Sequence, residues 1–261
     1  MRIIRTPLIL ISLIVLLNSC KNINKPGTPV ERWTEQKVND WYKEQGWLVG
    51  ANFVPSSAIN QLEMWQGETF DTEGIERELS WANKLGFNTM RVFLHHLLWE
   101  QDSTGFIKRI DKYLEISGKN NIKTMFVLLD DVWNPDPKLG KQPEPKKNLH
   151  NSGWVQSPGR EILTDSTQWH IIEGYVKGII THYSNDSRVV IWDLYNEPEN
   201  PNGSSYKKLE PANKKKHSLK LLKKVYKWSR EVNPSQPISI GIWTSVRKEL
   251  DDMNDIHQFT R

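Results

Sequence analysis

The chain has 261 residues, with 35 Lys or Arg against 31 Asp or Glu and a single cysteine. That near-neutral balance leaves no electrostatic footprint for nucleic acid, and one cysteine excludes a disulfide within the chain. The alkaline pI of about 9.0 reflects a slight lysine excess, gathered in pairs and triplets such as Lys146 with Lys147, Lys214 to Lys216 and Lys223 with Lys224, which read as solvated faces.

The first five residues carry two arginines and no acid, and residues 6–17 are nearly all apolar yet too short to span a bilayer comfortably. This is the pattern of a secretory signal. Leu17, Asn18, Ser19 and Cys20 follow and resemble the lipobox of a bacterial lipoprotein, in which the cysteine is acylated and becomes the new N-terminus. Residues 1–19 are therefore expected to be removed. Cys20 would then anchor the chain to a lipid bilayer after export, facing the periplasm or the cell surface. Residues 20–32 are polar with Pro26, Gly27 and Pro29, a composition that solvates rather than packs, and read as a tether. Losing Arg2 and Arg5 leaves the basic residues only two ahead of the acidic ones.

Residues 33–261 read as one domain in which strands and helices alternate. Residues 47–53 form the first strand. Asp71 and Thr72 can cap a helix in which Ile75, Leu79, Ala82 and Leu85 share a face, with Gly86 as the stop. A second strand over 86–93 is followed by Phe106, Ile110, Tyr113, Leu114 and Ser117 at helical spacing, and a third strand covers 122–129. Ile171, Ile172, Tyr175, Ile179 and Ile180 mark a helix over 165–183. After a fourth strand over 189–195, Leu219, Leu222, Val225, Tyr226 and Ser229 mark another helix over 213–231. Residues 237–243 make the fifth strand. This alternation predicts parallel strands joined by crossover helices.

One connection is out of proportion. From residue 133 to about 164 there is no sustained period, and prolines recur at 135, 137, 143, 145 and 158. Long loops inside compact domains are usually functional or disordered. This one leaves the C-terminal end of the third strand and reads as a wall of a cleft. At most six strand-like runs are found, the last beginning near 255–259, whereas an eight-stranded barrel typically takes about 250 residues of its own. The sequence is thus expected to be a fragment, holding about the first five to six units of a barrel.

The fourth strand delivers Asn196, Glu197 and Pro198 to its own C-terminal rim. In a parallel β/α barrel, strand ends and the loops after them build the active face, so an amide and a carboxyl group there point to chemistry rather than to a plain turn. Four segments carry a wider likeness: Trp47-Leu-Val-Gly-Ala-Asn-Phe53, Gly86-Phe-Asn-Thr-Met-Arg-Val-Phe93, Ile122-Lys-Thr-Met-Phe-Val-Leu-Leu129 and the stretch from Val189 to Pro198. Together they resemble the retaining glycoside hydrolases of clan A, most closely the family 5-like cellulases, mannanases and xylanases, in the order of that family's first four barrel strands.

The resemblance implies an incomplete α/β fold of the (β/α)8 TIM-barrel type and a polysaccharide or oligosaccharide substrate with β-linkages, of the cellulose, mannan or xylan class. It casts Glu197 as general acid and later general base, Asn196 as the partner of the sugar 2-hydroxyl, and Arg91 as the group that orients the nucleophile. In that family the nucleophile is a glutamate ending the seventh strand, which this sequence is not expected to reach. Asp130, Asp131 and Glu249 are poor substitutes, so the chain as given is expected to be inactive. An arginine within an apolar strand needs a buried acidic or polar partner. His95 or His96, at the rim of the second strand, is expected to meet the sugar or the nucleophile region, with a hydrogen-bonded loop histidine as the other reading. Asp130 is expected to bond a sugar hydroxyl or hold a cleft residue. Of the 12 tryptophans, Trp65, Trp99, Trp133, Trp154 and Trp243 fall on the presumed active side, where indole rings can stack on pyranose faces. Trp133, Trp154 and Trp243 are expected to line subsites. No third ligand stands at metal spacing, so neither metal nor other cofactor is expected. The alternative reading is a carbohydrate-binding lipoprotein without turnover, in which tryptophan-lined subsites persist. Oligomeric state is not legible.

Overall fold

The computed structural model describes residues 33–203 and 206–243. The expected signal, Cys20, the tether over 20–32, Glu249 and the strand start at 255–259 lie outside the described residues.

Five strands follow the chain: β1 (Gly50–Asn52), β2 (Thr89–Phe93), β3 (Lys123–Asp130), β4 (Val189–Asn196) and β5 (Ile238–Gly241). They form one sheet in the order β1-β2-β3-β4-β5, and every neighbouring pair is parallel. Helices occupy each connection: α1 (Glu35–Gln45) before the sheet, α2 (Gln61–Trp65) and α3 (Thr72–Lys84) between β1 and β2, and α4 (His96–Lys119) between β2 and β3. Next come α5 (Arg160–Thr164) and α6 (Trp169–Tyr183) between β3 and β4, then α7 (Lys214–Val232) before β5. Sequential parallel strands with helical crossovers are the repeating unit of the (β/α)8 barrel, and the described residues hold five strands and the four crossovers between them. Register aligns the rim: Asn52 lies opposite Arg91, Asp130 opposite Asn196, and Asn196 opposite Gly241.

The helices form where local signals and an apolar stripe agree. Asp71 caps α3 by accepting the Gly74 N–H at 2.8 Å, and Ile75, Leu79 and Ala82 are buried beneath it. Leu85, expected on the same face, is 77% exposed. It is the C-cap, and the chain turns away at Gly86, whose φ of 89° suits a residue without a Cβ. Helix α4 begins ten residues before the Phe106 stripe because two segments meet at Asp102, which has non-helical backbone angles. Its carboxylate caps the second segment through the Gly105 N–H at 2.8 Å. Helix α1 buries none of its residues, so it carries no stripe for a sequence to reveal.

The core lies between sheet and helices. Trp192 of β4 stacks on Phe126 of β3 with centroids 6.0 Å apart, and Trp65 meets Phe106 and Tyr113 edge-on. The long connection after β3 is ordered. Asp130 and Ser157 exchange backbone hydrogen bonds of 2.7 and 2.9 Å, which folds the loop back onto the strand that launched it, and α5 forms within the stretch expected to lack structure.

Candidate active site

A cleft of about 630 Å³ opens at the C-terminal rim, with Arg91 and Asn196 on its floor beside Glu197, and Trp133, Trp154 and Trp243 among its walls. The floor is built by the sheet. Arg91 of β2 donates through Nε and Nη2 to Asp193 Oδ2 at 3.0 and 2.6 Å. Its Nη1 reaches Asn52 Oδ1 at 3.2 Å, and Nη2 also reaches Asn196 Oδ1 at 2.9 Å. The required acidic partner is therefore Asp193, one strand beyond the intervening β3. Sequence reading passed over this residue, although a lone carboxylate in an apolar strand is the natural counterpart of a lone strand arginine.

Asn196 is fixed on both sides of its amide. Its Oδ1 accepts from Arg91, and its Nδ2 donates to Asp130 Oδ1 at 2.8 Å, which settles the amide's orientation and leaves one N–H to offer a ligand. Asp130 is buried and does not line the cleft. Of its two expected tasks the second is the one observed, and the sugar contact is corrected: the carboxyl holds the cleft residue Asn196 and accepts the Val132 N–H at 3.2 Å. Burial pushes its pKa up to about 7, against the lowering effect of the Asn196 and Val132 hydrogen bonds. Asp131 turns the other way, towards Tyr195 Oη at 3.0 Å and Ser218 Oγ at 2.5 Å.

Glu197 follows β4 with a φ of 53°, a left-handed conformation that costs a non-glycine residue roughly 1 kcal/mol or more. Its neighbours hold it there. Its N–H donates to Gly241 O at 2.7 Å, its carbonyl accepts the Asn200 N–H at 2.9 Å, and its Oε2 accepts from Asn200 Nδ2 at 2.7 Å. Burial raises the carboxyl's pKa; the Asn200 hydrogen bond and the Arg91 charge oppose this, while the Glu199 charge adds to it. The group thus keeps its proton to higher pH than a solvated glutamate, which suits a proton donor.

His95 and His96 are not at the cleft. Both are buried, with rings stacked 4.7 Å apart. Gln156 O can only accept, so His95 Nε2 donates to it at 2.9 Å, while Nδ1 accepts the Leu97 N–H at 3.2 Å as the cap of α4. Burial drives the His95 pKa down to about 3 and that of His96 well below normal. They tie the long loop to β2, and the expectation of a sugar contact is corrected. Trp65 is core, and Trp99 packs beside Gly178 of α6. Trp133, Trp154 and Trp243 do face the cleft. Phe93 meets Trp154 edge-on at 5.1 Å, and His150 meets Trp133 edge-on at 5.3 Å. His150, Asn151, Asn200 and Asn202 also line the cleft and were missed, because loop residues carry no period to flag them.

A carboxyl group with a raised pKa at the C-terminal rim of a parallel β/α sheet, inside an aromatic-walled cleft, fits the proton donor of a glycoside hydrolase. The family follows from the sequence itself. The family model described as cellulase (glycosyl hydrolase family 5) matches residues 50–256, and the chain belongs to that family. No curated protein sequence matches it significantly. Among solved structures, the β-mannanase of the blue mussel Mytilus edulis is similar at 16% identity and a TM-score of 0.52, over 75% of this chain and 59% of the mussel one. The hyperthermostable endo-1,4-β-D-mannanase of Thermotoga petrophila RKU-1 is 13% identical with a TM-score of 0.44, over 75% and 55% of the two chains. The chain spans less than two thirds of the length of either.

Proposed function

We propose that this protein acts in the retaining hydrolysis of a β-linked polysaccharide, with Glu197 as general acid and base and a mannan-type backbone as the first substrate to test. The reading is carried by the Glu197 carboxyl, half-buried in the cleft with a raised pKa and held by Asn200. Membership of glycosyl hydrolase family 5 supports it, and the mussel neighbour named as a β-mannanase suggests the substrate. In the first step a second carboxylate bonds to the anomeric carbon while Glu197 gives its proton to the departing glycosidic oxygen. In the second, water displaces that carboxylate from the carbon while Glu197 takes the proton of the water. Asn196 offers its remaining N–H to the 2-hydroxyl, and Arg91 brings positive charge to the floor beside it.

Retention needs a second carboxylate about 5–5.5 Å from the first. Among the described residues Glu197 is the one carboxylate lining the cleft, so these residues supply the acid/base half of the chemistry. The same observation favours a second reading, sugar binding without turnover. Assay of the whole protein on mannan, cellulose and xylan separates the two. Hydrolysis is expected, and Glu197→Gln should lower it by at least about 100-fold, as removal of a general acid does. Glycosylation by activated aryl glycosides, which need no proton, should be largely spared. Oligosaccharide binding with no release of reducing ends would establish the second reading, and equal loss on both substrate kinds would remove Glu197 from the acid role.

A further inference from the structure

The acid and one aromatic wall of the cleft share a support that neither the fold nor the chemistry requires. Asn200, which holds the Glu197 carboxyl, accepts the Asn202 N–H on its Oδ1 at 2.7 Å. Asn202 then grips the backbone of Trp133, a residue of the other loop. Its Oδ1 accepts the Trp133 N–H at 3.2 Å, and its Nδ2 donates to Trp133 O at 2.6 Å. Trp133 has a φ of 78°, a conformation that L side chains rarely adopt and that persists only where the surroundings enforce it. The support itself is anchored. Asn202 Nδ2 also donates to Glu210 Oε1, which accepts from Lys214 Nζ at 2.9 Å and Gln156 Nε2 at 2.6 Å. Lys214 Nζ reaches Asp131 O at 2.5 Å, at the root of the Trp133 loop. Asn202 and Lys214 are both buried.

We infer that Asn202, seated on the Glu210–Lys214 pair, is a positioning residue that sets where the Trp133 ring stands relative to the proton donor, and so where a sugar ring is seated beside the bond to be cut. This rests on the glycosidase reading of the same cleft. A pair of side chains two residues apart, one on the acid and one on the platform, ties the spacing of the two to one short segment of chain. Without Asn202, Trp133 would lose the one partner of its N–H and the shorter of two hydrogen bonds to its carbonyl, keeping that from Gln156 Nε2 at 3.3 Å.

Asn202 itself has a φ of 51°, so Asn202→Gly removes the side chain without adding strain. In the whole protein, Asn202→Gly is expected to speed hydrogen exchange of the Trp133 amide at least tenfold while exchange in α6 and α7 stays as in the wild type. It should weaken binding of a manno-oligosaccharide about as much as Trp133→Ala, and the double variant should bind no worse than either single one. Asn202→Asp guards against misfolding of the first variant. It keeps the acceptor for the Trp133 N–H but sets a carboxylate against Glu210 and Trp133 O. Relative to wild type, its amide protection should be lost at pH 7 and partly regained near pH 5, as the introduced carboxyl takes up a proton. Unchanged Trp133 exchange in both variants would overturn the proposal, and so would losses of affinity that simply add. If the wild type binds no oligosaccharide, the glycosidase reading fails, and the exchange data alone still decide whether Asn202 holds Trp133.

Discussion

The floor and the walls of the cleft are positioned by different physics. Arg91, Asp193, Asn196 and Asp130 stand on strands, so the sheet's register sets their spacing, and their side chains then lock one another through hydrogen bonds of 2.6–3.0 Å. Trp133, Trp154 and His150 stand on a long loop with no ladder of its own beyond isolated bridges at Ser157 and Val155. Their places depend on side-chain ties, from Asn202 and Asn60 outside the loop and from Gln156 near its far end. A floor built on strands tolerates little change but needs few helpers, whereas a loop wall can be re-cut for another ligand at the cost of depending on each of its ties.

Removing a floor partner should have the largest effect. Asp193 is 5% exposed at its side chain and answers the Arg91 guanidinium, and its second oxygen accepts the Gly241 N–H at 3.1 Å. Asp193→Ala strands a partly buried cation and removes a tie to β5, so a loss of about 3 kcal/mol in urea unfolding is expected, with Asp193→Asn losing less. A loss below about 1 kcal/mol would mean that Asn52 and Asn196 suffice to hold Arg91, and the floor would not differ from the walls.

The next effect is one of pH. The folded Asp130 carboxyl keeps its proton up to about pH 7, whereas its ordinary value is 3.8. The folded state therefore binds more protons than the unfolded one between these values. The stabilisation is full below 3.8 and is lost as pH rises towards 7. Asp131 adds a change of the same sign. Asp130→Asn keeps an acceptor for the Asn196 amide and has no proton to lose, so the fall in stability between pH 4 and 7 should flatten. An unaltered slope in chemical denaturation across that range would assign the titration elsewhere.

The contrast also explains what could be read from sequence. All five described strands and the stripes of α3, α4, α6 and α7 were legible, since apolar period and capping residues report directly on burial. Asn196, Glu197 and Arg91 were legible because polar groups at the ends of apolar strands stand out. His95 and His96 misled for the same reason: polar residues at a strand end look like site residues. Their burial comes from Gln156 and Ser157, some sixty residues away, which the local sequence does not reveal. Asn200, Asn202 and the Glu210–Lys214 pair were invisible. Their meaning lies in pairings across two loops, and such residues are ordinary in any solvent-exposed turn.

The mildest test concerns the far edge of the wall. Asn60 caps α2 by accepting the Glu63 N–H at 2.9 Å, and its Nδ2 donates to Gly153 O at 2.7 Å and Gln142 Oε1 at 2.8 Å. Gly153 sits so close to Ile59 that a Cβ there would fall 2.1 Å from its side chain, so the loop and the start of α2 are pressed together at this point. Asn60→Ala should cost about 1–2 kcal/mol from the lost cap and the orphaned carbonyl, and trypsin should cut faster at Lys146 and Lys147. Asn60→Asp keeps the cap but cannot donate to the loop. If the loop is tied as the geometry indicates, the aspartate variant, whose buried carboxylate faces the Gly153 carbonyl, should be no more stable than the alanine one and as open to trypsin. Resistance equal to wild type in both variants would show that the wall stands without this tie, and that Asn202 and Gln156 carry it alone.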